Sequence, residues 1–309
     1  MNSIKSYLIF LLVVVNGFFY LNTGCALNNN YLTNTNLERF DYVALSTKLR
    51  DGKPIFLNTS IHIEYVHFKF KDGTHAYILA ENTDNINNLF KVTIDKFSFA
   101  NLNFVINRIN MIEHVIECDT RDEMNDKFIN FMVQKMFDGI DKNLLEISSK
   151  NEDTLNIFFC FSIEYGILGI SSHPYLYPGS FIFMSKVDNQ MITLAHELGH
   201  YFGLLHTFQS GGDLCKDTDD KHIDSEDVGT GLDPNCNNIM SYSKPEEPIE
   251  NLIFTESQKE LIITNMFMPS RFKQLKYNDI KLDNVISYDC SNISRLINIE
   301  ITRIFNGQI

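Results

Sequence analysis

Basic residues are in short supply. Against 39 Asp and Glu the 309-residue chain carries only 26 Lys and Arg, a net charge of -13, and nowhere do the basic residues form a run. Binding a phosphate backbone needs a basic surface, so a nucleic-acid partner is not expected. Internal repeats and long linkers are missing too, which leaves one large or two small domains. At 44% hydrophobic, the chain can bury a sizeable core. Long apolar runs are also scarce: the stretch 6–15 behind Lys5 is short for a bilayer span, and Asn16 and Gly17 interrupt it. With small residues at Gly24 and Ala26 it fits a secretory signal over residues 1–26. A membrane anchor, or a lipidated Cys25 preceded by Thr23 and Gly24, are the alternatives. Export without stable membrane insertion is the expectation. Cysteines are few and, once Cys25 is set aside, odd in number: Cys118, Cys160, Cys215, Cys236 and Cys290 remain. That excludes a fully paired framework. The pair expected to bond is Cys215 with Cys236, both in a loop-rich stretch with little apolar content to hold it.

Histidine is rare as well, nine in all, yet His196, His200 and His206 fall close together within 195–207. Positions four apart on an α-helix share a face, so His196 and His200 can offer two imidazole nitrogens to one metal. Glu197 lies about a hundred degrees round the same helix, near enough to reach a water on the metal's open side, where a general base is needed. Six further residues of helix would carry His206 roughly 9 Å along the axis and onto another face. Gly203 removes that difficulty, since glycine can adopt the left-handed conformation that ends a helix and lets the chain turn back. Three neutral histidines with one position left open form the donor set of catalytic rather than structural zinc. Glu197 is then placed to take a proton from water and deliver it to a leaving amine. A plain amphipathic core helix would also contain Leu194, Leu198, Tyr201, Phe202 and Leu205, but such a background offers no partners to three buried imidazoles.

Elsewhere the patterning is mixed. Residues 27–57 are polar and asparagine-rich, an N-terminal segment that reads equally as a short pro-segment, a disordered arm or the first strand of the fold. Alternation over 61–70, with a slip between Tyr65 and Val66, predicts a bulged strand. Asp72 and Gly73 predict a turn and 77–79 a second strand. Helical spacing of Ile86, Leu89, Phe90, Ile94 and Phe97 predicts a helix over about 84–98, and 102–106 returns to period two. A Thr120/Glu123 capping box introduces a helix over about 121–137. Residues 155–160 and 180–185 read as strands separated by a Gly- and Pro-marked loop, and Asp188 with Asn189 offers a cap for the zinc helix. Thr255 and Gln258 form a second capping box ahead of a helix ending near Pro269. Asn58-Thr59-Ser60 and Asn292-Ile293-Ser294 are glycosylation acceptors in a eukaryotic host. Past the third histidine, 211–220 is rich in glycine and oxygen donors, either a calcium loop or a solvated acidic loop. Met240 and Tyr242 follow where a tight turn would bring them under and beside the histidines. The succession is α+β, helix packed on sheet.

These residues resemble the metzincin clan of zinc peptidases, defined by HExxHxxGxxH and a following Met-turn, and within it the pappalysin (M43) family. The likeness rests on Leu194-Ala195-His196-Glu197-Leu198-Gly199-His200 continuing to Leu204-Leu205-His206-Thr207-Phe208. It rests also on Gly212-Asp213-Leu214-Cys215-Lys216-Asp217-Thr218, and on Asn238-Ile239-Met240-Ser241-Tyr242 with Phe254, Thr255 and Gln258 beyond. The resemblance implies a catalytic domain over 58–269 with a twisted mixed five-stranded sheet, two packing helices of which one carries the zinc motif, and an irregular lower subdomain with a C-terminal helix. An extension over 270–309 would follow. It implies His196, His200 and His206 as zinc ligands, Glu197 as base, Met240 as the Met-turn residue and Tyr242 as a stabiliser of the tetrahedral intermediate. It also implies a calcium site drawing on Asp213, Asp217 and Thr218. The chain departs from the family pattern at Asp219, where proline is usual, and at Cys215, where an aliphatic residue is.

The expected activity is therefore that of a secreted zinc endopeptidase acting on protein or peptide substrates, with the strand at 181–185 as the cleft's upper rim, pairing with substrate backbone. A catalytically silent binding protein on the same scaffold, with structural zinc, is the alternative. Chelator-sensitive turnover of a generic protein separates the two.

Overall fold

The computed structural model describes residues 51–276 together with Leu49 and Asn298, apart from 139–141, 150–152, 164–166, 175–176, 186, 188–190, 210–212, 219–233 and 243–247. The expected signal, most of the expected pro-segment and of the C-terminal extension, Cys25, Cys290, the acceptor at Asn292, and Asp188 and Asn189 lie outside the described residues.

The sheet is organised around β1 (Ile55–Phe70), a sixteen-residue strand buried along nearly its whole length. Such burial needs cover on both faces and a partner on both edges. One edge carries β3 (Leu102–Cys118), parallel to β1 from end to end. Along the other edge three strands follow one another: β7 (Leu275–Lys276) at Phe56 and Leu57, β4 (Leu155–Phe159) from Thr59 to Ile63, and β2 (His75–Leu79) from Tyr65 to Lys69. Beyond β4 lies β6 (Tyr177–Met184), again parallel, and then β5 (Gly169–His173), antiparallel, as the last strand. The sheet is mixed and the class is α+β. Among the described residues seven strands take part rather than five, because β2 and β7 add short pairings to the path β3-β1-β4-β6-β5.

Alternate side chains send the two faces into different cores. Ile61, Ile63, Ile157, Phe159, Ile182 and Met184 pack with α1 (Thr83–Lys96) and α4 (Thr193–Tyr201). Phe158 and Phe183 point the other way, toward α3 (Lys142–Ser149), while Val66, Phe68 and Phe70 meet Phe128, Phe131 and Met132 of α2 (Met124–Asp138). Asn82 caps α1 by accepting from the Asn85 amide at 2.8 Å. A buried carboxylate fastens α2: Glu64 on β1 meets Lys135 at 3.0 Å, His114 at 3.5 Å and the Phe161 amide at 2.9 Å. The chain ends its described course in α5 (Glu256–Met266), the short α6 (Pro269–Phe272) and β7.

Several expectations change. The irregularity of β1 lies between Thr59 and Ser60, not at Tyr65; a strand buried on both faces has no polar side for an alternation to mark. The Thr120/Glu123 box does not form: α2 starts at Met124, and Glu123 instead accepts from the Asp119 amide at 3.1 Å. The Thr255/Gln258 box is present at the start of α5. Asn58 is 2% exposed and donates to Asp153 O and Thr154 Oγ1, so it is no glycan acceptor in the folded chain. The stretch expected to be a loop holds β5. As a result β6 is paired on both edges and cannot be the rim; β5 is.

Candidate metal centre

Helix α4 sits against β5 and α1 and carries the first two histidines. It begins at Thr193 with Ile192 as N-cap and no side-chain cap, so packing rather than capping sets its start. It ends as expected of a glycine turn: Gly203 has φ 91°, its amide bonds to His200 O at 2.8 Å, and Leu204 N reaches Gly199 O at 3.0 Å. The chain then doubles back and His206 returns to the helix.

The three imidazoles meet at their Nε2 atoms. His196 and His206 are 3.2 Å apart, and His200 is 3.1 Å from each. On the far side of the rings, His196 Nδ1 donates to Ile239 O at 2.7 Å and His200 Nδ1 to Leu204 O at 2.8 Å. With Nδ1 committed as donor, each of these two rings turns an Nε2 lone pair inward. Lone pairs facing one another at such distances repel unless a cation lies between them. A tetrahedral ion with metal–nitrogen bonds of about 2.05 Å spaces its ligand nitrogens by about 3.3 Å, close to what is observed. The residues therefore fit zinc. Among the described residues this trio is the one group of three or more His, Cys, Asp or Glu side chains close enough to share an ion. Burial, with the neighbouring rings adding to it, pushes His206 down to about 3 and His200 well below the usual imidazole value. Neutral rings are the ligand form.

Glu197 is 5% exposed, and burial pushes its carboxyl up to about 8. A dication beside it works in the opposite direction. Gly169, at the start of β5, lies directly against this side chain: a Cβ there would stand 2.7 Å from Glu197 Cγ and Oε1.

Met240 is fully buried under α4, where a Cβ on Gly199 would come within 2.5 Å of its sulfur. Its amide donates to Asn238 Oδ1 at 2.8 Å, and its carbonyl accepts from Thr207 N at 3.3 Å. Asn238 in turn exchanges both amide hydrogen bonds with Gln258 of α5, at 2.9 and 3.1 Å. The turn under the histidines is thus locked to a helix start. Tyr242 stands beside the third histidine, ring centroids 5.2 Å apart, and also against Phe208 at 4.8 Å. Partial burial and the Glu197 charge raise its phenol pKa. Phe208 itself stacks almost parallel on His206, 4.7 Å away and tilted by 10°.

The remaining expected site residues do not converge. Asp213 Oδ1 accepts from Cys215 N at 3.0 Å and Thr218 Oγ1 at 2.7 Å, forming a turn of its own. Asp217 points elsewhere, to Thr255 Oγ1 at 2.7 Å and Ser257 N at 2.9 Å. Cys215 and Cys236 are not joined: both carry thiols, Cys215 buried in the main core and Cys236 half-buried with its sulfur toward Asn237. The loop is held by Asp213 and the core contact of Cys215, which makes the expected disulfide unnecessary. Sequence reasoning quoted Phe208 within the histidine motif without giving it a role, and missed Gly169, for which spacing gave no signal. It also missed His173 on β5, which bonds to the Gly203 and Leu204 backbone at the helix end and which burial, first, pushes down to about 4.

Residues 168–258, from β5 through the capping box, match the family model described as pregnancy-associated plasma protein-A, the M43 peptidases. Over this segment the chain is similar to the metzincin-like M43 peptidases. It is also similar to an extracellular metalloprotease of Pyricularia oryzae, 36% identical over an alignment covering 29% of this chain and 41% of that protein. The chain therefore matches less than half the length of that relative. The matched segment contains all three histidines, Glu197, Met240 and Tyr242.

Proposed function

We propose that this chain is an exported zinc endopeptidase acting on protein or peptide substrates. The reading is carried by one observation, the convergence of three Nε2 atoms within 3.2 Å beside a buried glutamate on the same helix. His196, His200 and His206 would hold the zinc. Zinc, when bound, supplies a Lewis acid that polarises a carbonyl and lowers the pKa of water to about 7. Glu197 takes a proton from the attacking water as its oxygen bonds to the carbonyl carbon, and returns that proton to the amine as the C–N bond breaks. Tyr242 donates its phenolic hydrogen to the oxyanion, and the raised pKa keeps that hydrogen in place. Met240 and the Asn238–Gln258 pair hold Ile239 O against His196.

The substrate lies extended along β5, the last strand of the sheet, by strand addition. The catalytic domain first bounded at 58–269 is better drawn at 55–276, because β1 starts at Ile55 and β7 pairs with it. Calcium forms no part of the proposal, since Asp213 and Asp217 are engaged in separate places. Export is supported by the N-terminal pattern and by the relative's description as extracellular. Among the described residues no helix is long and apolar enough to cross a membrane.

The test is Glu197→Ala. Zinc content measured by plasma emission should be unchanged, while hydrolysis of a generic protein falls roughly 10²–10⁴-fold; undiminished turnover would overturn the assignment.

A further inference from the structure

We propose that Gly169 is a positioning residue for Glu197: the side chain missing from β5 is the space in which the glutamate lies. Any larger residue there would displace the carboxylate while leaving the three histidines in place. A Cβ on Gly169 would be 2.7 Å from Glu197 Cγ and Oε1 and 2.9 Å from Cδ, closer than carbon contacts allow. The backbone gives no competing reason for glycine here, because Gly169 is not among the residues with positive φ and pairs with Met184 in ordinary extended register. Glycine costs stability in a strand interior and commonly marks close approach of another group.

The neighbouring residues agree. Gly169 and Ser171 share one face of β5 by the period of a strand, and Ile170 between them packs with Phe158 and Phe183 on the opposite side of the sheet. The face holding Gly169 is therefore the one laid on the zinc helix, and past a register irregularity His173 reaches the Gly203–Leu204 backbone at the end of α4. Glu197 has little room to retreat, being 5% exposed in a helix packed on both sides. A methyl group at 169 would therefore rotate the Glu197 side chain or push β5 away, and these outcomes differ in what they disturb. The effect on turnover rests on the peptidase reading; the contact does not.

The experiment uses the full chain with Gly169→Ala, Glu197→Asp, Glu197→Ala and the combined variants. Melting temperatures are read without metal, zinc content after loading, and kcat and KM on a generic protein substrate. Gly169→Ala should melt several degrees below the parent, and this penalty should vanish in the Glu197→Ala background, where the clashing atoms are gone. Its kcat should fall roughly a hundredfold at unchanged KM and full zinc content. On top of Glu197→Asp, which retracts the carboxylate by one methylene, it should add less than about a twofold further loss. An equal melting penalty in both backgrounds, or a loss confined to KM, overturns the proposal. Coupled melting with a parent that turns over no substrate sustains the Gly169–Glu197 contact and overturns the peptidase reading instead.

Discussion

At the scale of single residues, this centre depends on what two glycines leave out. Gly199 lies between the first two histidines, and its missing side chain is where Met240 places its sulfur. A Cβ would be 2.5 Å from Sδ and 3.4 Å from Phe254 Cε1. Two effects compete in Gly199→Ala. Helix propensity favours alanine by about 1 kcal/mol, whereas forcing a methyl into a filled core costs about 1–3 kcal/mol. Met240 is fully buried, so its sulfur cannot swing into water, and the clash should decide the sign. Urea unfolding of the metal-free variant should show a net loss. Zinc affinity should fall about tenfold as well, because a displaced Met240 carries with it the neighbouring Ile239 carbonyl that orients His196. A more stable variant with parental zinc affinity would mean that the turn yields freely and does not support the ligand.

At the scale of elements, α5 anchors the floor of the site, and its anchoring assigns a role to the acidic loop. The Ser257 amide, with Thr255 and Ser257 side chains, outweighs partial burial and holds the Asp217 carboxyl below the usual range. A carboxylate on the first-turn amides of a helix satisfies donors that have no partner within the helix and complements its dipole. Asp217→Ala should therefore cost about 1–2 kcal/mol in urea unfolding, and millimolar calcium should shift neither melting curve. Calcium raising the parent's melting point and not the variant's would restore the ion-binding reading. This loop illustrates where the sequence was legible. Spacing alone located the histidines, Glu197, Gly203 and the Thr255/Gln258 box, because each rests on local helix geometry. The placement of Asp217 depended on its carboxylate meeting the Ser257 amide 40 residues away, and no local rule contains that. β5 was hidden for a similar reason: Gly169, Ser171 and His173 are small or polar to fit against α4, so the strand carries no apolar alternation. The length of β1 was obscured because burial on both faces erases the period.

At the scale of the whole molecule, buried imidazoles away from the metal make stability depend on pH. His62 lies in β1 with Nε2 against Asn156 Oδ1 and Nδ1 against Asn110 Nδ2, both at 3.0 Å, and its ring stacks on Phe158 at 4.3 Å. The Asn156 amide nitrogen already donates to Thr154 O and Ser180 O, so its oxygen faces the ring and His62 donates from Nε2. Nδ1 must then accept from Asn110, and a proton there would break that bond. Desolvation, with Arg108 adding to it, accordingly pushes His62 down to about 4, and burial pushes His173 to about 4 as well. An unfolded chain holds these rings near 6.5. Between pH 4 and 6.5 the unfolded state binds more protons, so stability is complete above 6.5 and is lost as pH falls toward 4. The ceiling is about 3 kcal/mol for each ring, from roughly 1.4 kcal/mol per pKa unit. Glu64 acts in the same direction at lower pH: burial works to raise it, but His114, Lys135 and the Phe161 amide hold it below the usual range. Urea unfolding of the metal-free chain at pH 7.5, 5.5 and 4.5 should show stability falling with each step. His62→Gln keeps a side-chain donor but cannot titrate, so between pH 7.5 and 4.5 its loss should be smaller than the parent's, by up to about 3 kcal/mol. Parallel losses in the two proteins would mean that His62 is already charged in the fold, and the Asn110 contact would have to be reversed.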